Sequence, residues 1–87
     1  MYNQDRDKFQ ELLDDQYDWP AEYLFKFIAP SDKKEELIAL FPKDKVQLRP
    51  SSKGNYTSIT ASIILKSSQE VMAIYDTAYK IEGVISL

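Results

Sequence analysis

From Thr57 to Lys66 the chain alternates without a break. Thr57, Ile59, Ala61, Ile63 and Leu65 fall on one face, and Ser58, Thr60, Ser62 and Ile64 on the other. That period of two predicts a half-buried strand, the longest such pattern in the sequence. Immediately before it, Pro50-Ser51-Ser52-Lys53-Gly54-Asn55-Tyr56 carries one of only two glycines. This polar run is the turn that feeds the strand, and the other elements arrange themselves around the pair.

Upstream, residues 4–17 predict a short amphipathic helix, with Phe9, Leu12 and Leu13 at i, i+3 and i+4 and Gln16 and Tyr17 extending the face. Asp5 and Asp7 suit its positive end, and Pro20 prevents its continuation. Such a helix is marginal alone and is expected to dock on the domain or on a partner. Ala21 to Ala29 predicts a first strand whose aromatic set, Tyr23, Phe25 and Phe27, faces the core. Pro30-Ser31-Asp32 stops it and opens a helix to about Leu40, capped by Asp32 with Glu35 or by Ser31, and burying Leu37, Ile38 and Leu40 or Phe41. Pro42 ends that helix.

Lys43 to Arg49 predicts a second strand, with Val46 and Leu48 inward and Lys45, Gln47 and Arg49 outward. After the long third strand, Ser67 and Glu70 form a capping box for a helix presenting Val71, Ile74, Tyr75, Ala78 and Ile81. Gly83 stands where a helix C′ residue takes a left-handed conformation. Val84 to Leu87 is a short final strand. The order β-α-β-β-α-β predicts a ferredoxin-like α+β sandwich, a four-stranded antiparallel sheet with both helices on one face. Right-handed crossovers put strands one and three in the centre. Residues 1–18 then form an acidic helical extension, and 19–87 the ferredoxin-like domain.

Composition narrows the function. The chain has no cysteine and no histidine, so thiol nucleophiles, thiolate zinc sites, the commonest general base and the commonest transition-metal ligand are all missing. A non-enzymatic role, without metal or cofactor, is the expectation. No apolar run approaches the roughly 20 residues of a membrane span. Met1 to Asp18 is acidic and polar, unlike a signal or transit peptide, which makes a cytoplasmic protein the expectation.

The net charge of −3 conceals a segregation. From Met1 to Asp18, Arg6 and Lys8 stand against six acids, a net −4; from Pro42 to Lys66, Lys43, Lys45, Arg49, Lys53 and Lys66 stand against Asp44 alone, a net +4. Either both are solvated surfaces, or the acidic helix lies near the basic hairpin of its own subunit or a neighbour.

The Pro50-Ser51-Ser52-Lys53-Gly54-Asn55-Tyr56 run, leading into a Ser/Thr-rich strand, resembles the signature of the YbeD-like family of small bacterial proteins of unknown function. Weaker similarity runs upstream, where Leu12-Leu13 precede a proline and the aromatic strand Tyr23-Leu24-Phe25-Lys26. The likeness covers roughly Phe9 to Leu87; residues 14–18 lengthen the link before Trp19-Pro20. The resemblance implies a ferredoxin-like fold akin to the ACT regulatory domains, and it carries no catalytic residues to transfer.

Two readings of the loop stay open. It is a hairpin turn with Gly54-Asn55 supplying permissive backbone angles, or it is an anion pocket at the sheet end shared with Ala29-Pro30-Ser31 and Glu82-Gly83. On the second reading Ser51, Ser52, Lys53, Gly54, Asn55 and Tyr56 are the binding residues. Their chemistry suits a phosphate or carboxylate of a small anionic metabolite or of a protein partner. A regulatory or adaptor module follows, and an open sheet face showing Leu24, Ile28 and Ile64 would suit a homodimer unless Phe9, Leu12 and Leu13 cover it. The alternative is RNA binding on the open face. Ser58, Thr60, Ser62, Leu24 and Lys26 there offer no aromatic stacking platform, and the charge is negative, so nucleic acid is disfavoured.

Overall fold

The computed structural model describes residues 6–87. Its elements in chain order are α1 (Arg6–Gln16), β1 (Ala21–Pro30), a 3-10 turn (Ser31–Lys33), α2 (Lys34–Ile38), a second 3-10 turn (Lys43–Lys45), β2 (Val46–Pro50), β3 (Tyr56–Leu65), α3 (Ser68–Tyr79) and β4 (Ile85–Ser86). The expected start of the first helix at residue 4, and the role of Asp5 there, lie outside the described residues. The four strands form one sheet in the order β2-β3-β1-β4, all neighbours antiparallel. Strands one and three are central, the order expected of a ferredoxin-like arrangement.

Strand parity decides the core. Phe25, Phe27 and Ala29 of β1 are fully buried, and Thr57, Ile59, Ala61 and Leu65 of β3 nearly so. Leu37 of α2 and Val71, Met72, Tyr75 and Ala78 of α3 close over that face, with Phe41 and Leu13 at its margins. Met72 joins the expected apolar face of α3, whereas Ile74 and Ile81 are only half-buried. Phe25 meets Tyr75 edge-on at a ring separation of 5.2 Å, and Phe27 meets it at 5.7 Å. Burial of each such ring contributes about 2–3 kcal/mol.

The caps divide. Ser67 is extended at φ −162°, and its Oγ accepts the Glu70 N–H at 3.3 Å. The Glu70 carboxylate reaches back to the N–H of Lys66 at 2.7 Å, one residue earlier than in a strict capping box. At α2 neither Asp32 nor Ser31 caps. The chain enters that helix through the 3-10 turn, and its N-cap position, Lys33, has helical angles (φ −108°, ψ −3°), so no side chain stands in capping geometry. Ser31 Oγ is instead 3.0 Å from the hydroxyl of buried Thr57. β2 is also shorter than expected, because residues 43–45 wind into a 3-10 turn after Pro42. Val46 and Leu48 still share the core face, opposite Ala61 and Ile59, but Leu48 at the sheet edge stays 47% exposed.

α1 does not cover the open sheet face. Its contacts run to α3, where Arg6 pairs with Asp76, Phe9 with Tyr75 at 5.7 Å, and Gln10 with Ser68 at 3.2 Å. The falling order of the partners makes the two helices antiparallel. Tyr17 continues the contact onto Tyr23 and stacks on Trp19 at 5.3 Å. The acidic helix therefore rests on the helical layer, and not beside the basic hairpin of its own chain. Leu12 remains half exposed, and Leu24 and Ile64 on the opposite face are 49% and 74% exposed.

Gly83 is left-handed, at φ +85°, but it is not the helix C′ residue: α3 ends at Tyr79, and Gly83 sits in the turn closed by Val84 N–H to Ile81 C=O at 3.3 Å. A Cβ there would lie 2.7 Å from Pro30 Cγ, whereas at Gly54 (φ +77°) it would meet nothing within 4 Å. Gly54→Ala should therefore cost about 1 kcal/mol from backbone strain alone. Gly83→Ala should cost clearly more, because the proline ring or the turn must also shift. Denaturant midpoints of the two variants check this; equal losses would remove the Pro30 contact from the account.

Candidate functional site

The register of the central strands builds one end of the molecule. β1 and β3 pair from Ala21↔Leu65 to Pro30↔Tyr56, and the Ser31 N–H then donates to the Asn55 carbonyl at 2.9 Å. On the other side β2 pairs with β3 as far as Pro50↔Thr57, and the Ser51 N–H donates to the Tyr56 carbonyl at 2.8 Å. The loop is thus held from both flanks. Within it, the Gly54 N–H donates to the Ser51 carbonyl at 3.0 Å, closing a tight turn that the positive φ of Gly54 allows. The expected meeting of the loop with Pro30-Ser31 and Gly83 at one end is observed.

Ser51 is committed to this structure. Its Oγ accepts the Tyr56 N–H at 3.3 Å, since its carbonyl already accepts from Gly54. Asn55 contributes its carbonyl, as noted, and shows no left-handed angle, Gly54 being the residue of the loop that supplies one. Ser52 and Lys53 are exposed at the tip, and Tyr56 is half exposed. The N-terminal end of α2 adds little positive pole here. α2 has five residues, and the first donor of the preceding 3-10 turn, Ser31 N–H, is spent on Asn55.

What the loop does form is a wall. On the open sheet face lies a groove of about 480 Å³ lined by Ile28, Arg49, Pro50, Ser51, Ser52, Tyr56 and Ser58. Ile28 and Ser58 are a cross-strand pair, and Arg49 stands opposite Ser58 on β2, so the three form one row of the sheet. Lys53 and Gly54 do not line it. Of the six residues expected from the sequence, Ser51, Ser52 and Tyr56 reach the groove. Arg49, Pro50, Ile28 and Ser58 lie outside that set, although the alternation of Lys45, Gln47 and Arg49 already puts Arg49 on the outward face. Along the same face Lys26, Gln47, Thr60 and Leu87 line a smaller hollow of about 390 Å³, to which Arg49 also contributes.

A second cavity, of about 330 Å³, lies between α1, α3 and β4 and is lined by Phe9, Tyr23, Tyr75, Tyr79, Ser86 and Leu87. Two of its phenols, Tyr23 and Tyr75, are poor acid–base groups. Tyr23 and Tyr75 share a hydrogen bond at 3.0 Å. Burial, above all, pushes the Tyr75 phenol far above its ordinary 10.0, and the Tyr23 hydrogen bond and phenols nearby add to it. Tyr23 is raised too, again chiefly by burial. Tyr75 and Tyr79 are core and rim, as their helical spacing implies. Among the described residues no group of three or more acidic, His or Cys side chains could hold a metal ion, and no helix is long and apolar enough to cross a membrane.

Two outcomes are expected here. Ser51→Ala should destabilise by about 1 kcal/mol, because the Tyr56 N–H loses its acceptor, while Ser52→Ala should change the denaturation midpoint within about 0.5 kcal/mol. Identical midpoints would mean that the Ser51 hydroxyl does not close the hairpin. The tyrosine pair gives a pH dependence of definite sign. The folded state holds the Tyr75 proton more tightly than the unfolded chain, so stability is complete below 10.0 and falls as pH rises beyond it. Tyr75→Phe should flatten that alkaline loss in a series of urea melts; an unaltered slope would mean that the fold does not hold the Tyr75 proton more tightly than the unfolded chain.

Comparison with known proteins gives a consistent kinship without an activity. A protein of Shewanella loihica described as a UPF0250 protein is 34% identical over 84 residues, covering 88% of this chain and 91% of the relative. A UPF0250 protein of Idiomarina loihiensis is 32% identical over 84 residues with the same coverage. No solved structure matches the chain. The family described as "Protein of unknown function (DUF493)" matches residues 14–87, from the last turn of α1 through β4, and the chain belongs to that family.

Proposed function

We propose that this protein is a non-catalytic regulatory or adaptor module that grips an anionic group, on a small ligand or on a protein partner, in the groove beside the Pro50–Tyr56 loop. One observation carries the reading. Arg49 is the charged member of a concave site in which no acidic residue takes part. Its guanidinium fork suits a carboxylate or phosphate held by two parallel hydrogen bonds. The hydroxyls of Ser52, Ser58 and Tyr56 are neutral partners around it, and Ile28 and Pro50 supply apolar contact, the mixture usual in ligand sites. The bonds of Ser31, Ser51 and Gly54 support a wall formed before binding, which lowers the ordering cost. The lack of cysteine and histidine, and phenols held protonated by burial, favour binding over catalysis.

RNA binding is less well supported. Tyr56 is the one aromatic residue that β1 and β3 place on the open face, where RNA-binding sheets of this kind stack two or three bases. The sequence charge of −3 opposes it as well.

Titrating isotope-labelled protein with inorganic phosphate and, separately, with succinate at low ionic strength tests the proposal. The amides of Arg49, Ser52, Tyr56 and Ser58 should move together and saturate with one of the two anions. Arg49→Ala should weaken that binding about tenfold, the loss of roughly one charge-assisted hydrogen bond. Saturation by neither anion, or a variant that binds like the native chain, would contradict it.

A further inference from the structure

β2 is an edge strand, and among the described residues nothing pairs with its outer side. The register says which backbone groups face outward there. Ser51 N–H to Tyr56 C=O is a ladder bond between β2 and β3, so the hydrogen-bonded pairs continue at Arg49↔Ser58 and Gln47↔Thr60. The β1 side agrees. Ser31 N–H to Asn55 C=O sets the hydrogen-bonded pairs of β1 and β3 at Ala29↔Thr57 and Phe27↔Ile59, which leaves the even-numbered residues of β3 for β2. Val46 and Leu48 therefore point both N–H and C=O away from the sheet, and Pro50 points a carbonyl only. An exposed edge with two donors and three acceptors is a template for another strand.

We infer that an extended acidic segment of a partner protein adds to β2 as a fifth strand, bonding Val46 and Leu48 and placing a carboxylate beside Arg49. The inference rests on the groove reading above and names the partner of that site. Three features select this occupant. Lys43, Lys45 and Arg49 surround the edge, with Asp44 the only acid between residues 42 and 53. Arg49 and Gln47 lie on the open face and Leu48 on the other, so an added strand with acidic and apolar residues in alternation meets a cation on one side and an apolar neighbour on the other. Leu48, 47% exposed, lacks cover that an apolar side chain there would provide. A second copy of this chain fits poorly: two β2 edges related by a two-fold axis would set Lys43, Lys45 and Arg49 against their own equivalents.

Selection of random 12-residue peptides displayed on phage against the native full chain is the test. Recovered peptides should alternate acidic and apolar residues, and their affinity should fall as salt rises. With the tightest of them bound, hydrogen exchange at the Val46 and Leu48 amides should slow at least tenfold, while Gln47 and Arg49, already bonded to β3, change little. Leu48→Pro removes an outward donor without removing a ladder bond and should weaken binding tenfold or more. The exchange measurement on the native chain decides the matter even if that variant folds poorly. Peptides that move the Arg49, Ser52, Tyr56 and Ser58 amides but leave Val46 and Leu48 unprotected would overturn the edge inference and leave the groove standing. Protection of Val46 and Leu48 that Arg49→Ala does not weaken would overturn the anionic anchor instead. Recovery of no peptide, or association of the chain with itself through Val46 and Leu48, would overturn the inference outright.

Discussion

The pairing of β1 with β3 is the constraint on which the other parts depend. It is the longest run of registered pairs in the sheet, from Ala21↔Leu65 to Pro30↔Tyr56, and both strands have neighbours on either side. Because side chains alternate, a slip of one residue would turn either Phe25 and Phe27 of β1 or Ile59 and Ala61 of β3 to solvent. The register therefore has the burial of the core behind it. It also positions the loop at a distance, since the last pair hands the chain directly to Ser31 and Asn55. The loop is placed by the core.

Polar groups inside this frame are matched in pairs. Thr57 is 2% exposed on the core face, and Ser31 is its hydroxyl partner. Tyr23 and Tyr75 bring their phenols together where the aromatic stripe reaches α3. Among the described residues no buried side-chain nitrogen or oxygen is left without a hydrogen bond. Such pairs add little net stability, but losing one partner costs the desolvation of the other. They tie α3 to β1 and the Ser31 turn to β3.

Much of this fold is legible in the sequence because it obeys short periods. The alternation of Thr57 to Leu65, the aromatic stripe of β1, and the Ser67–Glu70 start of α3 each follow from neighbours within four residues. Failures arise where a tertiary contact outbids a local preference. Ser31 and Asp32 read as caps, yet the Thr57 hydroxyl and the Asn55 carbonyl claim Ser31, and the helix enters through a 3-10 turn. Gly83 shows its left-handed angle in the sequence but not the proline that crowds it. The docking of α1 on α3 depends on Phe9 meeting Tyr75, a contact no spacing within α1 specifies. In the site, Ser51 reads from the sequence as a candidate binding residue, and only the structure shows that Gly54 takes its carbonyl and Tyr56 needs its hydroxyl. Arg49 was readable as outward-facing, but its place in a groove depends on β1 lying two strands away.

The Pro50–Tyr56 loop is a fixed wall, built by the sheet register in the free protein. Amide hydrogen exchange of the free protein tests it most directly, because each loop donor has an assigned fate. The Ser31, Ser51 and Gly54 amides should be protected, Ser31 and Ser51 nearly as well as the adjoining strands, while Ser52 and Lys53 exchange close to the rate of an unstructured chain. Uniformly fast exchange from Ser51 to Tyr56, with Ser31 also unprotected, would show that the register does not hold the loop and would contradict the account.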